Sequence, residues 1–269
     1  LIEEEANDIY EVSITLKDVI GAVAKVARFV ADQGVNIRSG ILFTPPKFEH
    51  VGVCTSFIDL SNAKCNIEQL VKLLKQIDVV TDVKAVKPKP IPVDQIHFPL
   101  IVTKDDRGII LRPEAFADLQ HSLEEVFSPS AAHTILYYAG KNCGTQACKR
   151  LAEKYNLSGS ELLEAVLKLK QAEGWGIFQT RKFNPSARKG EIIVKEGFEA
   201  IRYGGSTSPI CYFMKGYLTG TLNTIFNLNV SLTEKTCMAM GAKECVFELV
   251  SRSENEDKKI ANRIKTSTG

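Results

Sequence analysis

The segment Lys87-Pro88-Lys89-Pro90-Ile91-Pro92 puts three prolines at alternating positions, where neither a helix nor a paired central strand can continue. It reads as a stiff extended connector, so the 269-residue chain is expected to fold as two separate units rather than around one core. The expected boundaries are a first domain at 1–87, a linker at 88–95, a second domain at 96–250 and a polar, flexible tail at 251–269.

Before the prolines the apolar pattern changes period several times. Ile9 to Leu16 alternates as a half-buried strand does, and Ile20, Val23, Ala24, Ala27, Val30 and Ala31 then recur at three- and four-residue steps. Asp18 stands where it can cap that helix, and Gly34 where a left-handed stop is expected. Two strands follow at 35–43 and 51–60. A second helix opens on Asn66 and Gln69, a capping-box pair, and carries the stripe Ile67, Leu70, Val71, Leu74 and Ile77. With a last strand at 79–86 the order is βαββαβ, which packs as an antiparallel sheet with both helices on one face.

After the prolines, 98–102 and 108–111 suggest a hairpin, and helical patterns occupy 113–126, 130–154 and 160–173. Strands are expected at 176–182 and 191–198, a helix from about Pro209, and a closing hairpin of 230–237 with 245–250. The fold class is therefore α+β: a ferredoxin-like βαββαβ unit followed by a mixed α/β unit. A net charge of +2 gives no electrostatic case for nucleic acid, and no apolar run reaches the ~18 residues of a membrane span. Seven cysteines, an odd number spread along the chain, fit reduced thiols or metal ligands, and a cytoplasmic location, better than a secreted disulfide framework. Cys143 and Cys148 match no redox or metal spacing, and the four histidines form no catalytic metal motif.

Cys211, Glu234, Cys237 and Cys245 form a more informative group. Thiolates with one carboxylate suit Zn2+, four donors close a tetrahedral shell, and Met240-Gly241-Ala242-Lys243 can turn a hairpin that sets two sulfurs side by side. Buried cysteines without a metal are the alternative reading of the spacing alone. Lys170 continues the apolar stripe Leu163, Val166 and Leu167, which leaves two readings: an ammonium facing an apolar cavity and asking for an anion, or a lysine that snorkels to water from the helix end.

Two resemblances add to this. The string DVIGAVAKVARFVADQGVNI, residues 18–37, resembles the ACT family of amino-acid-binding regulatory domains, and the likeness extends over about 8–87. It implies that Gly21 lets the first loop approach a ligand and that Asp18 and Asn36 contact an amino-acid effector between paired domains. Ile20 stands where the family commonly has proline, and as residues alone Asp18 and Asn36 also read as a helix cap and a turn residue. PICYFMKGYLTG at 209–220 and SLTEKTCMAMGAKECVFEL at 231–249 resemble the 4-vinyl reductase family, which includes phenol-responsive sensor domains and archaeal proteins described as hydrocarbon-binding. That likeness, over about 96–250, implies a structural zinc on the four residues, because their intervals of twenty-three, three and eight match those of the phenol sensors. Those sensors hold the phenol hydroxyl with a His and a Trp. Lys170 and Val194 stand at these places, so phenol itself is not the expected ligand, and an apolar or aromatic molecule with an acidic group is.

Together the resemblances imply a homodimeric regulatory sensor for a small-molecule effector, without enzymatic activity, acting through a protein partner rather than on nucleic acid or membrane. An accessory protein or enzyme of tetrapyrrole-type metabolism is the alternative. It would need a nicotinamide or flavin site, and the sequence contains no such motif.

Overall fold

The computed structural model describes residues 8–43, 50–88, 101–103, 106–184, 186–187, 189–227 and 230–251. The proline segment from 89 onward and the polar tail from 252 lie outside the described residues. The chain divides into two compact units between Ile109 and Ile110. Among the described residues no helix is long and apolar enough to cross a membrane.

The first unit is built from β1 (Ile9–Lys17), α1 (Ala22–Asp32), β2 (Asn36–Phe43), β3 (Val51–Asp59), α2 (Ile67–Leu74) and β4 (Val80–Val86). The strands form one antiparallel sheet in the order β2-β3-β1-β4. Alternation along β1 sends Val12, Ile14 and Leu16 toward the helices, where they are buried with Val26 and Val30 of α1 and Leu70 and Leu74 of α2. The expected capping box is present: Asn66 Oδ1 accepts from the Gln69 amide at 2.9 Å, and Gln69 Oε1 accepts from the Asn66 amide at 3.1 Å. Gly34, at φ 73°, also passes so close to Asn62 that a Cβ would lie 2.7 Å from its carbonyl oxygen.

Asp18 is not the cap of α1. The chain makes a further turn through Ile20 and Gly21, Gly21 at φ 83° becomes the N-cap, and the helix starts at Ala22 with no side-chain cap. Asp18 is left four residues short of the helix, its amide donating to the His50 carbonyl at 2.8 Å. A short hairpin, β5 (Ile101–Thr103) with β6 (Asp106–Arg107), ends this unit. Its return arm is Asp106–Arg107 rather than the expected 108–111, and Ile109, Ile110 and Leu111 lie exposed outside the ladder.

The second unit begins with α3 (Pro113–Phe127), α4 (Pro129–Tyr155) and α5 (Gly159–Ala172). There follow β7 (Ile177–Asn184), β8 (Lys189–Lys195), α6 (Phe198–Ile201), α7 (Tyr212–Phe226), β9 (Val230–Thr236) and β10 (Cys245–Ser251). The sheet is antiparallel in the order β7-β8-β10-β9. The strand expected to run to Phe198 stops at Lys195, because Glu196 turns into the left-handed region at φ 52° and the Phe198 amide bonds instead to the Trp175 carbonyl at 3.0 Å. Ile192, Val194 and Phe247 of the sheet form one core with Met214, Leu218 and Leu222 of α7 and Leu163 and Leu167 of α5.

The two long helices α4 and α7 meet backbone to backbone. A Cβ on Gly140 or Gly144 would lie 2.1 Å from the carbonyl oxygen of Phe213 or Tyr217, and one on Gly216 or Gly220 would lie 2.0–2.1 Å from that of Tyr137 or Lys141. Two glycines four residues apart on each helix, on facing stripes, are what allow this approach. Gly144→Ala and Gly216→Ala are each expected to lower stability by about 1–3 kcal/mol or more, since backbone rather than a flexible side chain has to move. Gly205→Ala, where a Cβ meets nothing within 4 Å, is expected to stay within about 0.5 kcal/mol of the parent. Thermal or urea denaturation of the three variants measures this.

Candidate metal centre and ligand site

Cys211 is the N-cap of α7, Glu234 lies in β9, Cys237 just after it, and Cys245 opens β10. Three residues apart, Glu234 and Cys237 would face opposite sides of an unbroken strand. β9 ends at Thr236, however, a register shift falls between Val246 and Phe247 opposite it, and Cys237 leads into a single turn of 3-10 helix at Met238–Met240 that Gly241 closes at φ 87°. The irregularity brings both side chains to one point.

The donor atoms of all four residues lie within 4.8 Å of one another. Every donor residue is buried, from 0% exposed at Cys237 to 8% at Glu234. Cys211 Sγ stands 3.8 Å from Cys237 Sγ and 3.7 Å from Cys245 Sγ, too far for a disulfide. A regular tetrahedron with metal–sulfur arms of ~2.3 Å has edges of about 3.8 Å, so this spacing fits a four-coordinate ion. Glu234 Oε2 accepts from the Cys211 amide at 3.1 Å, whereas its Oε1 is buried without a hydrogen-bond partner, as a carboxylate oxygen held for a cation would be.

Without a cation the four groups could not all ionise together. Burial first, and then the charge on Cys237, push the Glu234 carboxyl up to about 8. Hydrogen bonds from Cys211 and Cys245 hold the Cys237 thiol far below its ordinary value, while Cys211 is driven well above its own, chiefly by that bond to Cys237.

Sequence reading missed the polar groups behind this cluster. Glu199 of α6 is fully buried, and its two oxygens accept from the amides of Phe213 at 2.8 Å and Met214 at 2.7 Å, in the first turn of the helix that Cys211 caps. Burial pushes its carboxyl up to about 8 in spite of those bonds. Gln120 of α3 donates to Glu199 at 3.4 Å and to the Ile210 carbonyl at 3.3 Å, so the chain just before Cys211 is held as well. Lys215, over the Tyr212 ring at 4.6 Å, is the cation one turn along α7, and burial lowers its pKa against the opposing pull of Glu234 and Glu199. In the sequence a lone Glu and a lone Lys look like surface residues; only the helix end that they meet in space marks them out.

Lys170 points inward and is 8% exposed. It does not snorkel, and its charge already has a partner, because Nζ is paired with Glu173 Oε2 one turn on. The ammonium also lies over the rings of Trp175 at 4.7 Å and Tyr217 at 5.5 Å. The Tyr217 hydroxyl is buried with no hydrogen-bond partner. Val194 is buried in β8, opposite Cys245 and Phe178, in the core that also takes Leu163 and Leu167 of α5.

In the first unit, Asp18 and Gly21 share one exposed turn, but Asn36 does not join them. Lys17 pairs with Val51 and Asn36 with Asp59, the two ends of the nine-residue β3, which at ~3.4 Å per residue spans roughly 27 Å. Within one chain, Asp18 and Asn36 cannot touch the same small ligand.

The family model of the vinyl-4-reductase domain matches residues 191–251, a stretch that contains all four donors. No curated protein matches the chain. Among solved structures, the chain is similar to the phenol-responsive sensory domain of the transcription activator PoxR, at 20% identity over 59% of this chain and 84% of that one, with a TM-score of 0.50. It is also similar to a vinyl-4-reductase family protein from Methanocaldococcus jannaschii, at 20% identity over 54% of this chain and all of that one, TM-score 0.35. An ACT domain from the GTP pyrophosphokinase of Chlorobium tepidum matches at 17% identity over 30% of this chain and all of that one, TM-score 0.25. At such identity the PoxR likeness is one of fold.

Glu199→Ala strips two buried amides of their acceptor, and each such loss costs about 1–3 kcal/mol. The variant is expected to melt well below the parent, with Glu199→Gln, which keeps one acceptor oxygen, in between; calorimetric unfolding of the three proteins measures this.

Proposed function

We propose that this chain is a regulatory small-molecule sensor and not an enzyme, with a structural Zn2+ in its C-terminal unit and an ACT-type effector domain in its N-terminal one. The observation that carries the reading is the closed set of four buried donors at the junction of α7 with the β9–β10 hairpin. A shell with four protein ligands leaves no open position for a substrate or an activated water, so the ion's role is to hold the helix to the sheet. Three thiolates and a carboxylate around Zn2+ leave two excess negative charges, and Lys215 is the nearby cation that offsets part of them. One zinc per chain is expected in protein purified without chelators, and Cys237→Ser is expected to lower both zinc content and the thermal midpoint. Zinc well below one per chain would sink this reading of the centre.

The effector proposed for the C-terminal unit is an apolar or aromatic molecule. If it carries an acid, that acid takes the place of Glu173 beside Lys170, since two carboxylates cannot share one buried ammonium without a large penalty. Glu173→Gln is therefore expected to tighten benzoate binding relative to phenol by roughly tenfold, about 1.4 kcal/mol, and Lys170→Met to erase any preference for the acid. Titration calorimetry separates the outcomes, and equal responses of benzoate and phenol in all three proteins would remove Lys170 from the site.

An amino-acid effector in the first unit would bind between two copies, Asp18 and Gly21 of one facing Asn36 of the other, because one chain keeps these groups apart. A two-fold homodimer is the commonest assembly able to do this. Light scattering is expected to report two chains at micromolar concentration, and a monomer would exclude this arrangement. Output is proposed to pass to a protein partner.

A further inference from the structure

The core of the first unit is not filled. A cavity of about 240 Å³ runs beneath α1, over the half of the sheet made by β2 and β3. Its cause is local: the residues facing one another there are small, with Ala27 on α1 above Gly40, Cys54 and Ser56 on the strands. Its floor reaches Leu16, Leu70 and Leu74, each at most 1% exposed, and its mouth is rimmed by the exposed side chains of Val23, Ile37, Ile41 and Leu42.

We infer that this cavity is a second ligand site, distinct from the C-terminal one, and that it takes a neutral apolar molecule the size of two fused aromatic rings or a short alkyl chain. None of the described residues that line it is charged, and its polar side chains are the Ser56 hydroxyl and the Cys54 thiol, 3.6 Å apart. A carboxylate, an ammonium or a zwitterionic amino acid would lose its hydration there with nothing to replace it. A dry apolar cavity of about 150 Å³ already admits benzene, so this volume admits a larger ring system. Depth argues against a second copy of the chain as the occupant, because a flat protein face could cover the rim yet could not reach the floor at Leu70 and Leu74. Occupancy would fix α1 against β2 and β3, the elements that carry Gly21 and Asn36, and so would reach the amino-acid positions from inside the unit.

The test is a calorimetric titration of the full chain with indole, a neutral two-ring molecule, in parallel with Ala27→Phe and Cys54→Leu, each of which fills the cavity, and with Lys170→Met. The expected result is an indole site that weakens at least tenfold in both filling variants and is unchanged in Lys170→Met, with both filling variants melting no lower than the parent. Failure of Ala27→Phe to fold leaves Cys54→Leu to decide. Indole is also expected to slow alkylation of Cys54 by N-ethylmaleimide without slowing that of exposed Cys143, read by peptide mass spectrometry. Indole binding that survives both filling variants overturns the inference, as does Cys54 protection that needs no indole and disappears on dilution with dissociation of the dimer. Loss of indole binding in Lys170→Met alone would place the ligand in the C-terminal unit and overturn it too.

Discussion

Backbone contact between α4 and α7 is the constraint from which the second unit is assembled. Four glycines remove the side chains that would otherwise hold two helices 8–10 Å apart, and the gap closes until carbonyl oxygens of one helix meet α-carbons of the other. α7 is thereby fixed along its length. Its N-terminal end then presents Cys211 to the hairpin, its middle presents Tyr217 to Trp175 and Lys170, and its other face packs Leu218 and Leu222 against Ile192 and Phe247. Metal centre, candidate ligand site and sheet core are three surfaces of one immobilised helix.

The polar groups around Cys211 follow from the same immobility. Burying the start of α7 against α3 and α6 buries amides that have no partner inside the helix, and Glu199 supplies two acceptors from a neighbouring element. The cost is a carboxylate in the interior, close to a centre that is itself rich in negative charge. Structural ion and buried acid are thus parts of one electrostatic arrangement, and Lys215 and the first amides of α7 bring positive character to it.

Much of this was legible in the sequence wherever the signal was periodic or local. Alternation from Ile9 to Leu16, the Asn66–Gln69 pair, Gly34 and the closing hairpin with its cysteines each depend on neighbours within a few residues, and the structure has them where expected. What was not legible depends on the third dimension. Asp18 has the chemistry of a cap, but a glycine turn moves the helix away from it. Glu196 gives no warning that it will end a strand, and Gly140 or Gly216 in a helical pattern reads as a weakness until the facing helix is known. Lys170 was recognised as inward by its stripe, whereas its partner Glu173, one turn away, looked like part of the helix end.

That partner has a consequence for selectivity. A carboxylate tethered three residues from the ammonium acts at an effective concentration in the millimolar range or higher, whatever the ligand concentration in solution. Glu173 is therefore a permanent internal competitor. Any molecule that approaches Lys170 through a charged group alone is held off by it, and the apolar body of the ligand has to supply the difference. The threshold set in this way would admit bulky acids while ignoring acetate, chloride and other abundant small anions, a form of discrimination that needs no steric gate.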